Sequence, residues 1–187
     1  MAYSPDRSSN GYGMAIAGAV AGFLAARVLP PLIAQAGGRL ARSDPFDRLA
    51  QDHRAILDLI DRLEDAESAA NRGILLLRLK RRLTVHALAE EDIVYPLLRQ
   101  EVGEEQAVKR LYAEHGDIKV HLYVIETLVS GGEASEWRAR VEALRDLVAE
   151  HAVQEEEVEF PRLRRLLRQD ELTVMAGRMQ REKALVL

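Results

Sequence analysis

The chain contains no cysteine. This excludes disulfides, zinc–thiolate sites, iron–sulfur clusters and thiol catalysis, so any metal must be held by His, Asp or Glu. Histidine is scarce as well, with 5 in 187 residues, and aromatic residues make up 5%. No stretch after residue 43 shows the apolar–polar alternation of a strand, so a sheet is not expected. Basic charge is not in excess. The net charge is −4, and the balance carries no nucleic-acid footprint. What is present, 30% charged and 48% apolar residues, fits a soluble helix-rich protein long enough for one domain with its own core.

Long hydrophobic runs are also few. Residues 1–13 are polar with Gly11 and Gly13 and read as a flexible start. Residues 14–36 have nearly the length of a membrane-spanning helix, and Gly18 and Gly22 form a G-x-x-x-G pair. Against a span stand Arg27, Pro30 and Pro31. Ala34-Gln35-Ala36 resembles a signal-peptide cleavage site. Three readings stay open: a membrane segment, a cleaved signal, and a helix that packs on a partner or is partly disordered. If the segment spans, Arg39 and Arg42 follow it and only Arg7, beside Asp6, precedes it. That bias would place the remainder in the cytoplasm, associated with the membrane through 14–36.

The chain from residue 44 reads as four long helices. The first runs from about Pro45 to Asp65, with Asp44 as N-cap and a stripe of Phe46, Leu49, His53, Ile56, Ile60 and Leu63. The second runs from about Arg72 to Arg99, with Leu75, Leu79, Leu83, His86, Glu90, Ile93 and Leu97, and Pro96 should kink it. Its basic run Arg78, Lys80, Arg81 and Arg82 lies mostly off the stripe. That run reads as a solvated face, with acidic lipid or a partner as the other reading. The third runs from about Glu104 to Val129 and stops at Gly131-Gly132, with Val108, Leu111, His115, Ile118, Leu122, Ile125 and Val129. The fourth runs from about Ser135, read as its N-cap, to Leu167, with Val141, Leu144, Val148, His151, Glu155 and Val158. Residues 169–187 form a tail helix with Met175, Met179 and Leu185 available for packing.

Two stretches echo each other. His86-Ala87-Leu88-Ala89-Glu90 and His151-Ala152-Val153-Gln154-Glu155 both read His-x-x-x-Glu, 65 positions apart, and lead into Tyr95-Pro96 and Phe160-Pro161. Residues i and i+4 share a helix face, so each copy aims an imidazole and a carboxylate the same way. Asp52-His53 and Glu114-His115 form a second echo, 62 positions apart. The unit is therefore a helical hairpin, one helix with a lone histidine and one with His-x-x-x-Glu. Two hairpins make an all-α four-helix bundle.

One buried imidazole on an apolar stripe is more often a hydrogen-bonded core histidine than a ligand. Four on four separate stripes, two of them with a carboxylate one turn on, are a different case. Each unpaired buried carboxylate would cost several kcal/mol, and a cation removes that cost. The metal ligands read from the sequence are His53, His86, Glu90, His115, His151 and Glu155. Six donors are too many for one structural zinc, and calcium and magnesium prefer oxygen. Mixed ligation repeated twofold suits two non-haem iron ions, or manganese, with Glu90 and Glu155 able to bridge. Ferritin-like di-iron sites use about four carboxylates and two histidines. The inverted ratio here should stabilise ferrous iron. That suits binding O2, NO or peroxide, or holding iron, better than hydroxylating C–H bonds.

These residues in this order resemble the hemerythrin-like domain, the HHE cation-binding family, over roughly residues 44–168. The resemblance implies an up-down-up-down antiparallel bundle around an oxo- or hydroxo-bridged non-haem di-iron centre. Members of that family carry or sense O2, sense iron or redox state, store iron, or respond to oxidative and nitrosative stress. Two departures matter. Oxygen carriers place a further histidine where this chain has Lys119, and His121 is roughly 120° from the His115 direction and reads as a surface or boundary residue. Carriers also have an aspartate late in the fourth helix, where this chain keeps His-x-x-x-Glu. The resemblance therefore implies a more open iron. Water, Glu91 or Glu156 are the candidates for the open position, although both glutamates read as solvent-facing.

Three functions compete. The first is a di-iron binding protein for O2, NO or iron in sensing or stress response. The second is a di-iron peroxidase or NO-reducing enzyme. The third is a metal-binding scaffold recruited through residues 14–36. No substrate pocket is marked in the sequence, which favours binding.

Overall fold

The computed structural model describes residues 44–131 and 133–186. The expectations for residues 1–43, including the apolar segment 14–36, lie outside the described residues. So does the side chain of Leu185. Among the described residues there is no strand, and no helix is long and apolar enough to cross a membrane.

Helix α1 (Pro45–Glu64) begins as its sequence requires. Asp44 accepts a bond from the Phe46 amide at 2.8 Å, and Pro45 occupies the first turn, where its missing N–H costs nothing. Helix α2 (Ala69–Ala89) starts earlier than Arg72. Ser68 caps it by accepting from the Asn71 amide at 3.2 Å, a cap overlooked in the sequence. Helix α3 spans Glu105–Leu128, α4 spans Ala134–Gln154 and α5 spans Gln169–Val186. Ser135 does not cap α4. The cap position is Glu133, whose carbonyl takes the Trp137 amide at 3.0 Å, while the buried Trp137 indole donates to the Leu63 carbonyl at 3.3 Å.

Both prolines are accommodated by a wide turn and not by a simple kink. After α2 the chain continues through a π-helical turn, Glu90–Val94, then Tyr95–Leu97 in α form and a second π turn, Leu98–Val102. After α4 it continues through a π turn, Glu155–Glu159, into Phe160–Leu166. In each copy the amide of the aromatic residue bonds the carbonyl of the motif glutamate five residues back, Tyr95 to Glu90 and Phe160 to Glu155. In that register the Glu91 carbonyl would fall to the N–H that Pro96 lacks. The Tyr112 hydroxyl takes it instead, at 2.8 Å. A π turn inserts one residue, and the buried face slips accordingly. Leu98, not Leu97, is fully buried, and Glu159 and Phe160 are buried where Val158 was expected.

The apolar side chains form two clusters with a polar layer between them. One holds Ile56, Ile60, Leu79, Leu83, Ile118, Leu122, Trp137 and Leu144; the other holds Phe46, Leu49, Ile93, Leu98, Leu111, Phe160, Met175 and Met179. Along the chain, α1 and α3 pass from the second cluster to the first, and α2 and α4, each with the turns that continue it, pass from the first to the second. Close packing joins α1 to α2, α1 to α4 and α3 to α4, while α2 and α3 touch only sparsely. Helix α5 lies on α1 and α2 and adds Leu172 to the two expected methionines. Of the basic run on α2, Lys80 pairs with Glu126 at 2.9 Å and Arg82 with Asp52 at 3.3 Å.

Candidate metal centre

The layer between the clusters contains all six residues singled out in the sequence. His53, His86, Glu90, His115, His151 and Glu155 are each at most 4% exposed. Their donor atoms form two groups that share Glu90: His53, His86, Glu90 and Glu155 in one, and Glu90, His115 and His151 in the other. Glu90 divides its oxygens between them. Its Oε1 lies 3.0 Å from His86 Nε2 and 3.6 Å from His53 Nε2, and its Oε2 lies 3.4 Å from His115 Nε2. Glu155 Oε2 lies 3.2 Å from His53 Nε2 and 3.6 Å from His151 Nε2. His121 is half-buried and belongs to neither group.

These atoms are close without being bonded. His53 Nε2, both His86 nitrogens, both Glu90 oxygens and Glu155 Oε2 are buried with no hydrogen-bond partner. Donors and acceptors at such distances ordinarily pair; here they aim at common points in space. An orphaned buried polar atom costs about 1–3 kcal/mol, more when charged. His86 Nδ1 faces Asp52, and the other five together are tolerable only if something positive lies among them.

The proton affinities point the same way. Burial disfavours the His53 imidazolium, yet the adjacent Glu155 and Glu90 outweigh it and push the group up to about 10. His115 rises to about 9 against the same burial, through Glu90 and Glu91. Burial also works against charge on Glu90, but His86, His115 and His53 hold its carboxyl well below the usual range. Glu155 is pushed up by burial and by the charge of Glu90. The layer therefore recruits positive charge, and in the metal-free chain protons are what it can recruit.

Each histidine is oriented from a different helix. His53 Nδ1 meets Glu156, His115 Nδ1 meets Glu91 and His151 Nδ1 meets Glu114, all at 2.8 Å. His86 Nδ1 lies 4.0 Å from Asp52, whose carboxylate is also engaged by Arg82 and Lys183. These contacts fix the ring and turn Nε2 inward, as carboxylates do for metal-binding imidazoles. Glu91 and Glu156 are thus neither solvent-facing nor donors in the cluster. The π turn starting at each motif glutamate carries the following residue to a neighbouring histidine, and no i, i+4 pattern displays that. The pairs Asp52-His53 and Glu114-His115 were visible as an echo, but the partner of each acid is the histidine of the next helix.

Tyr95 was read as a motif aromatic and proves to belong to the site. Fully buried, its hydroxyl donates to Glu155 Oε1 at 2.9 Å and lies 3.1 Å from His115 Nε2. Burial and the charges of Glu90 and Glu155 raise its pKa, so it remains a phenol. Its echo Phe160 has no hydroxyl and lies parallel to the His53 ring, with centroids 6.2 Å apart. The repeat is therefore chemically asymmetric. Glu159 is a further buried acid, but it is turned to Gln154, Arg162 and Arg110, away from the donors.

A cavity of about 320 Å³ adjoins the layer at the sparse seam between α2 and α3. Its lining includes His53, His86, His115 and His151. A cavity lined from four helices leaves no local sequence mark. Lys119, at the position of the missing fifth histidine, lines it and pairs with Glu91 at 3.3 Å.

The hemerythrin HHE cation-binding domain matches residues 44–163, nearly two thirds of the chain, and the chain belongs to that family. It is also similar to a DNA nickase of Nostoc sp., with 28% identity over 138 residues. That match covers 74% of this chain but 38% of the relative, so the chain spans well under half of that protein. No solved structure matches it significantly.

Proposed function

We propose that this protein is a non-haem di-iron binding protein that takes up O2, NO or iron, in sensing or in the response to oxidative and nitrosative stress. The observation that carries the reading is the five orphaned donor atoms, His53 Nε2, His86 Nε2, both Glu90 oxygens and Glu155 Oε2, buried and grouped around Glu90. The order in which α1 to α4 cross the two apolar clusters supports an up-down-up-down antiparallel four-helix bundle as the frame.

His53, His86, Glu90 and Glu155 would hold one ion, and Glu90, His115 and His151 the other. An iron pair held there would supply a reversible one-electron couple at each ion and an open position for a diatomic ligand. The chain's own residues do the rest. Glu91, Glu114 and Glu156 keep three imidazoles in the tautomer that presents Nε2 inward. Tyr95 holds Glu155 by donating its hydroxyl proton to Oε1, and that hydroxyl stands beside His115 of the group with three donors. The apolar clusters on either side exclude water. The three-donor group is one residue poorer than its neighbour, in keeping with Lys119 standing where carriers have histidine.

Elemental analysis of the purified full-length chain should find about two irons per chain, or manganese in their place. Reduced protein mixed with O2 should give a long-lived visible band that reverses under vacuum. Absence of any transition metal would end the reading.

A second reading, a di-iron peroxidase or NO-reducing enzyme, is favoured by the cavity, which gives a reactant room beside the layer. Rapid turnover of peroxide well above that of free iron would decide for it. DNA nicking is a property of the relative's name, and the net charge of −4 gives it no support here.

A further inference from the structure

The cavity at the α2–α3 seam is larger than the proposed diatomic ligands need. Its 320 Å³ is roughly twenty times the ~15 Å³ that one water-sized molecule requires. It is also a built chamber and not a chance gap. Its walls come from Leu83, Ile118, Leu122 and Val148, which belong to the first apolar cluster. Three of them are the more exposed members of that cluster, Leu83 at 8%, Leu122 at 7% and Ile118 at 5%, whereas Ile60, Leu79 and Ile125 are at 0%. The exposure they keep is consistent with facing this space. The imidazoles form its inner end.

The mouth is held by two ion pairs that cross the seam. Lys80 of α2 meets Glu126 of α3 at 2.9 Å, and Lys119 of α3 meets Glu91 of α2 at 3.3 Å. Each lysine at the mouth already has an acidic partner. An apolar wall that ends on imidazoles holding positive charge selects against a cation, which would lose hydration and meet like charge.

We propose that this chamber binds a neutral, largely apolar organic molecule of roughly 10–20 non-hydrogen atoms, a size suited to a cavity at the lower end of small-molecule sites. Such a guest would lie with one end against the imidazoles, beside the metal centre proposed above, but its binding rests on the chamber and not on the metal.

The test is calorimetric titration of the full-length, metal-loaded protein with indole and 1-octanol, and with the cationic counterparts tryptamine and octylammonium. One saturable site is expected for at least one neutral probe, at least tenfold tighter than for its cation. Leu122→Trp fills the chamber from the core side. Ala87→Phe narrows it from a half-buried wall position, where the fold has room to adapt. Each should weaken the probe at least tenfold with metal content and helicity unchanged. No saturable site for either neutral probe, equal affinity for the cations, or binding unaffected by both substitutions would overturn the proposal. Metal assays on the same samples separate the two readings. Probe binding without metal would sink the di-iron reading alone, and metal without probe binding would sink the chamber alone.

Discussion

If the carboxylates behind the histidines orient them for metal, removing one should weaken metal binding without touching a ligand, and Glu114, Glu156 and Asp52 should rank by geometry. Glu114 is the cleanest case. Its Oε2 sits 2.8 Å from His151 Nδ1, and it is 22% exposed. Loss of such a partner costs roughly 10–100-fold in metal affinity, which is about 1.4–2.7 kcal/mol. Glu114→Ala should fall near the upper end because little water can replace the carboxylate. Glu156 stands at the same distance from His53 but is 34% exposed, so Glu156→Ala should fall near the lower end. Asp52 is 4.0 Å from His86 and already engaged by Arg82 and Lys183, so Asp52→Ala should cost least. Competition of the full-length protein against a graded chelator gives the affinities, and thermal melting of the metal-free variants controls for folding. If Asp52→Ala proved the most damaging while Glu114→Ala bound normally, the orienting role of these contacts would be refuted.

Glu90 serves both donor groups, so Glu90→Ala should strip metal from the whole layer, and in the metal-free chain it removes a carboxylate that keeps His53 and His115 protonated, so both imidazoles should titrate lower by NMR. Full metal content in that variant would show the ligand set to be misassigned. His121→Ala should leave metal content unchanged, and a loss of iron there would mean that the register of α3 is misread. Leu144, at 0% exposure in the first apolar cluster, should cost about 2–5 kcal/mol on replacement by Ala, read by denaturant titration. A cost under ~1 kcal/mol would mean that this end of the core is loosely packed.

Helix existence and the donor layer were legible because both depend on short-range periodicity. His53 sits in step with Leu49 and Ile56, and His86 with Leu83 and Glu90, so a 3.6-residue period suffices to bring them inside. The Asp44–Pro45 start was legible for the same reason, since cap chemistry is local. What escaped notice was the consequence of changing that period. Leu97 and Val158 were placed by continuing the count through a π turn, which adds a residue and turns Leu98 and Glu159 inward. Glu91 and Glu156 were misplaced by the same slip. Tyr95 could have been suspected: a tyrosine opposite a phenylalanine in otherwise matching copies signals a hydroxyl with a use. The seam between α2 and α3 depends on how far two helices stand apart, and no stretch of sequence encodes that alone.

The pairing of acids and histidines has a consequence for how the centre is assembled. Asp52 serves His86 and Glu114 serves His151, each within one hairpin; Glu91 serves His115 and Glu156 serves His53, each across the boundary. A hairpin by itself could prepare one imidazole and would leave its other one idle. The two halves of the repeat are therefore incomplete in complementary ways, and neither inherits a working half-centre. A single hairpin could complete this geometry only by packing against a second copy of itself.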